Sequence, residues 1–268
     1  MKAKIIILTS FAAMLAVVSC TKVSEKENQA SLFVYCGSSM RPPMEEIAKL
    51  YEKEKGEKVV FTFGDSGTIL IQAEQSKMGD LYVSHEPFST LTMKKKTADE
   101  TKTIAYLYPI IAVRKGNPKG IHSFSDLDKQ GIRLGLPDSK YSTCGQIVSA
   151  MLKKAGLEEA VQKNVVLNTR SSGDLGNALK LGTIDAAVMW DAVAAIYSNE
   201  IEIAKIEKKY EIDAITSATF EKVRMDKVAV TVVLLSFSEK KPEAKQFIDF
   251  VCSPKGQEIF KQKGFSIQ

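Results

Sequence analysis

The chain has few of the side chains that most often carry out catalysis or bind metal ions. It contains two histidines, one tryptophan and four cysteines in 268 residues. The cysteines are widely and irregularly spaced, so they form neither the CxxC pairs of a zinc site nor a dense disulfide framework. An enzyme would need a nucleophile with a base, or a metal with an open position, and no spacing in the sequence provides either. We therefore expect no enzyme, no cofactor and no bound metal.

The chain also lacks the charge pattern of a nucleic-acid-binding protein. Its formal net charge is +5, and no basic run with interleaved aromatic residues occurs. The cluster at residues 94–96 consists of three lysines and is typical of a solvated loop or helix end. No nucleic acid partner is expected.

No apolar run is long enough to span a membrane as a stable helix. The longest one, at residues 5–18, follows Lys2 and Lys4 and predicts a signal peptide at residues 1–19. The sequence Val-Val-Ser-Cys that ends at Cys20 resembles the bacterial lipoprotein signal, in which the cysteine becomes a lipidated N-terminus. An ordinary signal peptide cleaved elsewhere is the alternative.

Residues 20–30 are polar and rich in Lys and Glu, which predicts a flexible tether between the lipid anchor and the folded part. Removal of residues 1–19 lowers the formal charge from +5 to +3. Three cysteines, Cys36, Cys144 and Cys252, then remain in the fold. Both a Cys36–Cys144 disulfide and three free thiols are compatible with the sequence.

Short apolar runs alternate with amphipathic stretches through most of the chain, which predicts an α/β fold with parallel sheets. The first helix shows the pattern clearly, because apolar residues recur at positions 44, 47, 48 and 51 and Gly56 ends it. The predicted strands cover residues 31–36, 58–63, 80–83, 132–136, 165–167 and 184–189. The predicted helices cover residues 40–55, 67–76, 144–155 and 172–181.

Two longer strands interrupt this alternation. They are predicted at residues 103–114, with Pro109 inside, and at residues 223–237. Strands of this length can cross from one lobe of a protein to another, which makes the middle of the chain an inserted lobe. We expect one lobe to contain residues 31–108 and 223–268 and the other residues 109–222.

The tetrapeptide Gly64-Asp65-Ser66-Gly67 is the one that surrounds the nucleophilic serine of trypsin-like proteases. That function requires an antiparallel β fold, a histidine before the serine, and Gly-Pro after the motif. Here the pattern is α/β, both histidines follow Ser66, and the motif continues with Thr68. Ser66 is therefore not expected to be a nucleophile.

Serine and threonine residues instead follow three predicted strands, each time at the beginning of a helix. They are Ser38 and Ser39, then Ser66, then Ser142 with Thr143. The free amides and the positive end of a helix N-terminus favour an anion, and a hydroxyl adds a donor without charge. Ligands of open α/β sheets bind outside the carboxyl ends of the strands, where these turns lie. A single such turn is also explained by the preference of Ser and Thr for helix N-caps.

With these turns located, the chain resembles the molybdate-binding and tungstate-binding proteins of bacterial ABC importers, which are two-lobed type II periplasmic binding proteins. The resemblance extends from about residue 31 to the C-terminus. Its signs, in chain order, are YCGSSM, PMEEIAKLYEKEKG, KVVFTFGDSG, GDLYVS, YPIIAVRKGNP, GTIDAAVMWDAVA and AKQFIDFVCSPKGQEIFKQKGF. It implies two crossover hinge strands and a ligand cleft between the lobes.

The resemblance also implies a set of ligand-binding residues from both lobes, which hold a tetrahedral dianion through hydroxyls and amides without a counter-charge. Carried over by position, the set is Gly37, Ser38, Ser39, Ser66, Gly67, Ser142, Thr143, Trp190 and Asp191. It implies further that the protein is a periplasmic or extracytoplasmic, membrane-anchored monomer. Such a protein delivers the anion to an ABC permease and performs no chemistry on it.

Two carboxylates near this set leave alternatives open. Asp65 and Asp191 each follow a predicted strand and could cap the next helix, Asp191 that at residues 192–198. If they face the cleft instead, they could accept a hydrogen bond from a protonated oxyanion or join the coordination sphere of its metal centre. A transition-metal cation is the alternative ligand, for which the candidate residues are Cys36, Met40, Asp65, His85, Cys144 and Asp191.

Overall fold

The computed structural model describes residues 31–204, 206–212, 214–215, 223–224 and 227–267. The predicted signal peptide at residues 1–19, with Cys20 and the tether at residues 20–30, lies outside the described residues. The same is true of residues 205, 213, 216–222, 225–226 and 268. No helix in the described part of the chain is long and apolar enough to cross a bilayer.

In the part of the chain that the structure describes, the strands form two five-stranded sheets and one two-stranded pair. In the first sheet the order is β2-β1-β3-β12-β4, and in the second it is β7-β6-β8-β5-β9. The strands are β1 Leu32–Gly37, β2 Val59–Gly64, β3 Leu81–His85, β4 Ala98–Leu107, β5 Pro109–Arg114, β6 Leu134–Pro137, β7 Val165–Thr169, β8 Ala186–Trp190, β9 Ile201–Ala204, β10 Ala214–Ile215, β11 Val223–Arg224 and β12 Val228–Leu235.

Helices connect the parallel strands of both sheets. They are α1 Arg41–Lys55, α2 Ser66–Ser76, α3 Phe88–Lys94, α4 Thr143–Ala155, α5 Glu158–Gln162, α6 Ser172–Lys180, α7 Asp191–Ala195, α8 Lys241–Cys252 and α9 Pro254–Gln262. Among the described residues, three short 3-10 helices lie at Ser38–Met40, Phe124–Asp128 and Lys208–Tyr210. The predicted alternation of strands and helices is confirmed, with boundaries that differ by one or two residues in most elements.

The predicted buried stripe of α1 is present. Met44, Ile47, Ala48 and Tyr51 are buried, and Gly56 ends the helix in the left-handed region at φ 74°. The Tyr51 ring packs edge-on against Phe247 of α8, with ring centroids 5.0 Å apart. The C-terminal helices are therefore joined to the first sheet through this core.

Both five-stranded sheets are mixed, whereas the sequence pattern predicted parallel sheets. β12 pairs antiparallel with β3 and β4, and β5 pairs antiparallel with β8 and β9. The remaining pairs, β1 with β2 and β3, and β6 with β7 and β8, are parallel. The parallel strands carry the strand-to-helix turns, so their carboxyl ends position the candidate site.

The strand predicted at residues 103–114 is two strands in two sheets. β4 ends at Leu107 in the first sheet, and β5 begins at Pro109 in the second. Proline lacks the amide proton that a continuous ladder needs, which explains a break at this position. The strand predicted at residues 223–237 is likewise divided between β11 and β12. The lobe boundaries at 108/109 and 222/223 stay a prediction.

The three cysteines in the described part of the chain are free thiols. Cys36 and Cys144 are buried, and burial raises the pKa of both thiols well above its usual range. The alternative of a Cys36–Cys144 disulfide is therefore wrong for this structure. The two side chains pack as small core residues.

Candidate functional site

A cavity of about 290 Å³ lies where the carboxyl ends of the parallel strands of the two sheets face each other. The first sheet contributes the residues after β1, β2 and β3, and the second those after β6, β7 and β8. The lining residues are Ser38, Ser39, Arg41, Pro42, Gly64, Asp65, Ser66, His85, Phe88, Tyr141, Ser142, Thr143, Arg170, Ser171, Ser172, Gly173, Trp190, Val193, Ile196 and Tyr197.

Six of the nine residues that the resemblance assigned to the ligand line this cavity. They are Ser38, Ser39, Ser66, Ser142, Thr143 and Trp190. The other three, Gly37, Gly67 and Asp191, are not among the lining residues. The structure therefore brings the predicted strand-to-helix turns together, and contact between these residues and a ligand stays a prediction.

Ser66 is the first residue of α2 and is only 7% exposed. The buried hydroxyl of Tyr82 donates to its backbone oxygen at 2.9 Å, which holds the turn in place. Gly37 of the neighbouring strand leaves the room that Ser66 needs, since a Cβ at Gly37 would lie 2.7 Å from Ser66 Oγ. The glycine therefore supports the site through steric space.

On the opposite side, two helices begin at the cavity wall. Ser142 caps α4 by accepting from the amide of Gly145 at 3.4 Å, which places Thr143 in the first turn. Ser171 caps α6 by accepting from the amide of Asp174 at 3.4 Å, which places Ser172 in the first turn. Helix α6 therefore adds a fourth turn to the three that the sequence indicated.

Three of the lining hydroxyls belong to residues that are mostly buried. Ser66, Thr143 and Ser172 are 7%, 6% and 8% exposed. Ser172 Oγ accepts a weak hydrogen bond from the Trp190 amide at 3.5 Å. Thr143 and Ser172 donate no side-chain hydrogen bond to another described residue, whereas a side-chain hydrogen bond from Ser66 acts to lower the pKa of the Tyr82 phenol. Because these hydroxyls line the cavity, a ligand in it can accept hydrogen bonds from them.

Asp65 combines the two roles that the sequence left open. Its Oδ1 accepts from the amide and the hydroxyl of Thr68, both at 3.1 Å, so it caps α2. The same oxygen accepts from Arg170 Nη2 across the cavity at 3.3 Å. Its carboxylate thus lines the cavity with its charge already paired.

The Asp191 carboxylate accepts hydrogen bonds from the backbone, and Asp191 is not among the residues that line the cavity. Its Oδ1 accepts from the amides of Tyr108 and Ala192 at 3.0 and 2.8 Å, and its own amide donates to the Tyr108 oxygen at 2.9 Å. Burial raises the pKa of the Asp191 carboxyl to about 6, against the opposing effect of these hydrogen bonds. The expected role as cap of a helix at residues 192–198 is corrected, because α7 begins at Asp191 itself.

His85 stands at the end of β3 and is buried. Its Nδ1 lies 2.9 Å from the carbonyl oxygen of Glu86, which can only accept, so the proton is on Nδ1. Burial lowers the pKa of the imidazole, which keeps it neutral at pH 7. Its ring lies 5.7 Å from that of Trp190, so the two sides of the cavity touch here as well.

Sequence reasoning missed the two arginines that line the cavity. Arg41 lies 4.0 Å over the Phe63 ring, and Arg170 lies 4.9 Å over the Tyr141 ring. Both side chains are about half exposed, at 52% and 50%. The two arginines add positive charge to a lining for which the resemblance implied neutral donors only. The signal for Arg170 was present, because it lies with Ser171 and Ser172 between a predicted strand and a predicted helix.

The residues named for a transition-metal ion do not gather. Of the six, only Asp65 and His85 line the cavity. Cys36, Met40 and Cys144 are buried among apolar side chains. Within the part of the chain that the structure describes, no three His, Cys, Asp or Glu side chains are arranged to hold a metal ion.

Comparison with known proteins gives a consistent result. The chain is 31% identical over 253 residues to a Haemophilus influenzae protein named "Putative binding protein", covering 94% of this chain and 97% of that one. It is 23% identical over 274 residues to the Bacillus subtilis protein named "Putative ABC transporter substrate-binding lipoprotein YvgL", covering 98% of each. Both relatives are named as binding proteins.

The fold is similar to that of the periplasmic molybdate-binding protein of Azotobacter vinelandii. The TM-score is 0.70 at 18% identity, and the match covers 89% of this chain and 100% of the other. This likeness confirms the predicted type II periplasmic-binding-protein fold. Residues 32–266 match the family of bacterial extracellular solute-binding proteins. The chain belongs to the bacterial extracellular solute-binding protein family.

Proposed function

We propose that this protein is the solute-binding component of an ABC importer and that it holds a tetrahedral oxyanion in the cavity between its two sheets. The observation that carries this proposal is the set of hydroxyls that line the cavity at Ser66, Thr143 and Ser172. They come from both sheets and lie at three helix N-termini. A ligand that only accepts hydrogen bonds would satisfy all of them.

The physical chemistry of the turns suits an anion. A hydrogen bond to a charged acceptor contributes roughly 1.5 to 3 kcal/mol, and helix N-termini add the positive end of their dipoles. Asp65 would repel the anion if it were free, but its Oδ1 already accepts from Thr68 and Arg170. The negative charge nearest the cavity is therefore offset before the ligand arrives.

Molybdate or tungstate is the first choice of ligand. The resemblance of the sequence motifs and the similarity in fold to a molybdate-binding protein support this choice. Another oxyanion, such as sulfate or phosphate, presents the same four acceptor oxygens and is the alternative within this class. A transition-metal ion has little support, because the hydroxyls are donors and the named ligands do not gather.

The partner and location follow from the proposed role. The protein would be anchored by a lipid on Cys20, would work outside the cytoplasmic membrane as a monomer, and would dock on a permease when closed on its ligand. The relative named as an ABC transporter lipoprotein supports this arrangement. The two lobes, 31–108 with 223–268 and 109–222, would close about the break at Tyr108.

A thermal-shift series with purified protein tests the proposal. Molybdate, tungstate, sulfate, phosphate and divalent metal ions are compared at equal ionic strength. A ligand at about 100 times its Kd stabilises the folded state by roughly 2.7 kcal/mol, or on the order of 5 to 10 °C in Tm for a chain of this size. We expect such a shift with at least one oxyanion. A shift with metal ions alone would contradict the proposal.

Ser66→Ala provides the variant and Ser76→Ala its matched control, since the two serines lie at opposite ends of α2. Loss of the Ser66 hydroxyl is expected to lower the affinity for the oxyanion that shifts the Tm by about 10-fold to 100-fold, as measured by calorimetry. Ser76→Ala is expected to keep the wild-type affinity. Equal affinities for the two variants would remove the assigned role of Ser66.

A further inference from the structure

We infer that the cavity, besides a bare oxyanion, takes a small organic anion that places a tetrahedral oxyanion group on the lining hydroxyls and a carboxylate on Arg170. This inference rests on the proposed function, because it assigns the ligand class of the same cavity. Three features of the cavity support it: its guanidinium groups, its volume and its apolar wall.

The guanidinium of Arg170 is positioned but not saturated. Its Nη2 donates to Asp65 at 3.3 Å, and the Tyr141 ring supports the guanidinium at 4.9 Å. The other N–H groups have no acceptor among the described residues. A guanidinium held on one side and free on the other matches a planar carboxylate, which it binds through two parallel hydrogen bonds. Arg41 adds a second positive charge to the same lining.

The volume exceeds that of a bare oxyanion. Four oxygens fill about as much space as four water molecules, roughly 120 Å³ in total. The cavity holds about 290 Å³. Its two sides are already in contact through Asp65 with Arg170 and through the rings of His85 and Trp190. The cavity therefore has room for atoms beyond those of a bare oxyanion.

Part of the wall offers nothing to a bare oxyanion. Phe88, Trp190, Val193 and Ile196 present apolar surface to the cavity. A hydrated inorganic ion gains nothing from such groups, whereas a short carbon skeleton between two anionic ends would bury its apolar surface there. The neutral His85 offers a ring nitrogen that accepts a hydrogen bond, which favours a ligand that also carries a hydroxyl.

Calorimetry with three probes separates the contributions. The probes are inorganic phosphate, glycerol 3-phosphate, and 3-phosphoglycerate, which replaces an alcohol end by a carboxylate. We expect 3-phosphoglycerate to bind at least about 10-fold tighter than glycerol 3-phosphate, given the usual strength of a bidentate Arg–carboxylate pair. Arg170→Gln leaves Asp65 without its cation and should weaken both organic probes, but it should weaken 3-phosphoglycerate about 10-fold more than glycerol 3-phosphate, which removes this advantage.

Arg114→Gln is the matched control. Arg114 is 41% exposed and pairs at the opposite end of the second sheet with Asp185, so its loss removes one positive charge away from the cavity. It should leave all three affinities unchanged. If Arg170→Gln does not fold, judged by circular dichroism, Arg170→Lys is used instead. Lysine keeps the positive charge but lacks the paired N–H donors of the planar guanidinium. The preference for 3-phosphoglycerate over glycerol 3-phosphate should therefore fall without disappearing.

The outcomes distinguish this inference from the proposed function. If molybdate or tungstate binds and 3-phosphoglycerate does not bind more tightly than glycerol 3-phosphate, the inference is wrong and the proposed function stands. An equal loss for both organic probes in Arg170→Gln also overturns it. If no anion of any kind binds to the folded protein, the proposed function itself fails.

Discussion

The position of Asp191 after a strand does not by itself show that its side chain contacts a ligand. The resemblance assigned it to the ligand because it follows a strand next to Trp190. The structure shows both of its measured acceptor bonds on one oxygen, from the amides of Tyr108 and Ala192. The carboxylate thus fixes the junction between β4 and β5, where the chain passes from the first sheet to the second.

The raised pKa of Asp191 predicts a pH-dependent stability. Its folded value is about 6 against an ordinary value of 3.8, so the folded state binds the proton more tightly. The resulting stabilisation is fully present below about pH 4 and is lost as the pH rises through about 6. Asp191→Asn keeps an acceptor oxygen for both amides and removes the charge. Between pH 4 and 7.5, wild type loses this stabilisation and the variant does not. The difference in free energy of unfolding between the two proteins should therefore change by roughly 2 kcal/mol in favour of the variant.

Urea denaturation of wild type and Asp191→Asn at these two pH values measures the difference. Asp128→Asn, at an exposed position, is the control and should follow wild type. Parallel pH profiles for wild type and Asp191→Asn would show that the buried carboxylate does not titrate as described.

Single residues also show what the sequence could predict. Ser66 and Thr143 were found because a hydroxyl after a strand and before a helix occupies a known position at a sheet edge. Arg170 occupies the same kind of position, but an arginine in a turn is most often solvated. Its role depends on Asp65 and Tyr141, which are 105 and 29 positions away in the chain. No local pattern contains that information.

At the scale of elements, α2 depends on its cap. Asp65 accepts from the Thr68 amide, so it satisfies one of the free donors at the start of this helix. Asp65→Ala is expected to lower the free energy of unfolding by about 1 kcal/mol, and Asp65→Asn by a few tenths, because asparagine is also a strong cap. Both variants lose the partly exposed ion pair with Arg170, which contributes little to stability.

Urea denaturation of the two variants at pH 7 tests this ranking. The comparison is internal, since both remove the same charge and only alanine removes the cap. Equal stabilities would mean that the cap contributes nothing and that Asp65 acts only through its charge.

The elements themselves were largely predictable, and their assignment to sheets was not. Periodicity identified α1 and β1. The spacing of apolar residues along the chain shows whether an element is buried on one face, as α1 is, or on both faces, as β1 is. The sequence predicted one continuous strand through Tyr108 and Pro109, because the residues on both sides are apolar, and it did not predict the break found there. Only the pairing of β4 with β12 and of β5 with β8 and β9 separates them.

At the scale of the whole molecule, the lipid anchor makes a prediction that is independent of the fold. The small residue before Cys20 and the polar tether after it predict that a lipid on this cysteine holds the protein at a membrane. Cys20→Ser should move the protein from the membrane fraction to the soluble extracytoplasmic fraction, because the thiol that receives the lipid is absent. Fractionation followed by immunoblotting measures this shift.

Cys252→Ser is the control for loss of a thiol, since Cys252 is a free cysteine in the fold. It should leave the distribution unchanged. If Cys20→Ser stays in the membrane fraction, the anchor is not on Cys20, and an ordinary signal peptide cleaved elsewhere becomes the better interpretation.

The sequence by itself determined the α/β class, most helices and strands, and the hydroxyl turns at Ser38, Ser66 and Ser142. These features follow from spacing within about twenty residues, which reports burial and capping directly. The tertiary structure alone decided which turns share a cavity, that Arg170 meets Asp65 across it, and that Asp191 binds backbone at the junction of the sheets. Such contacts join residues far apart in the chain, and their distances are set by how two separately formed sheets face each other.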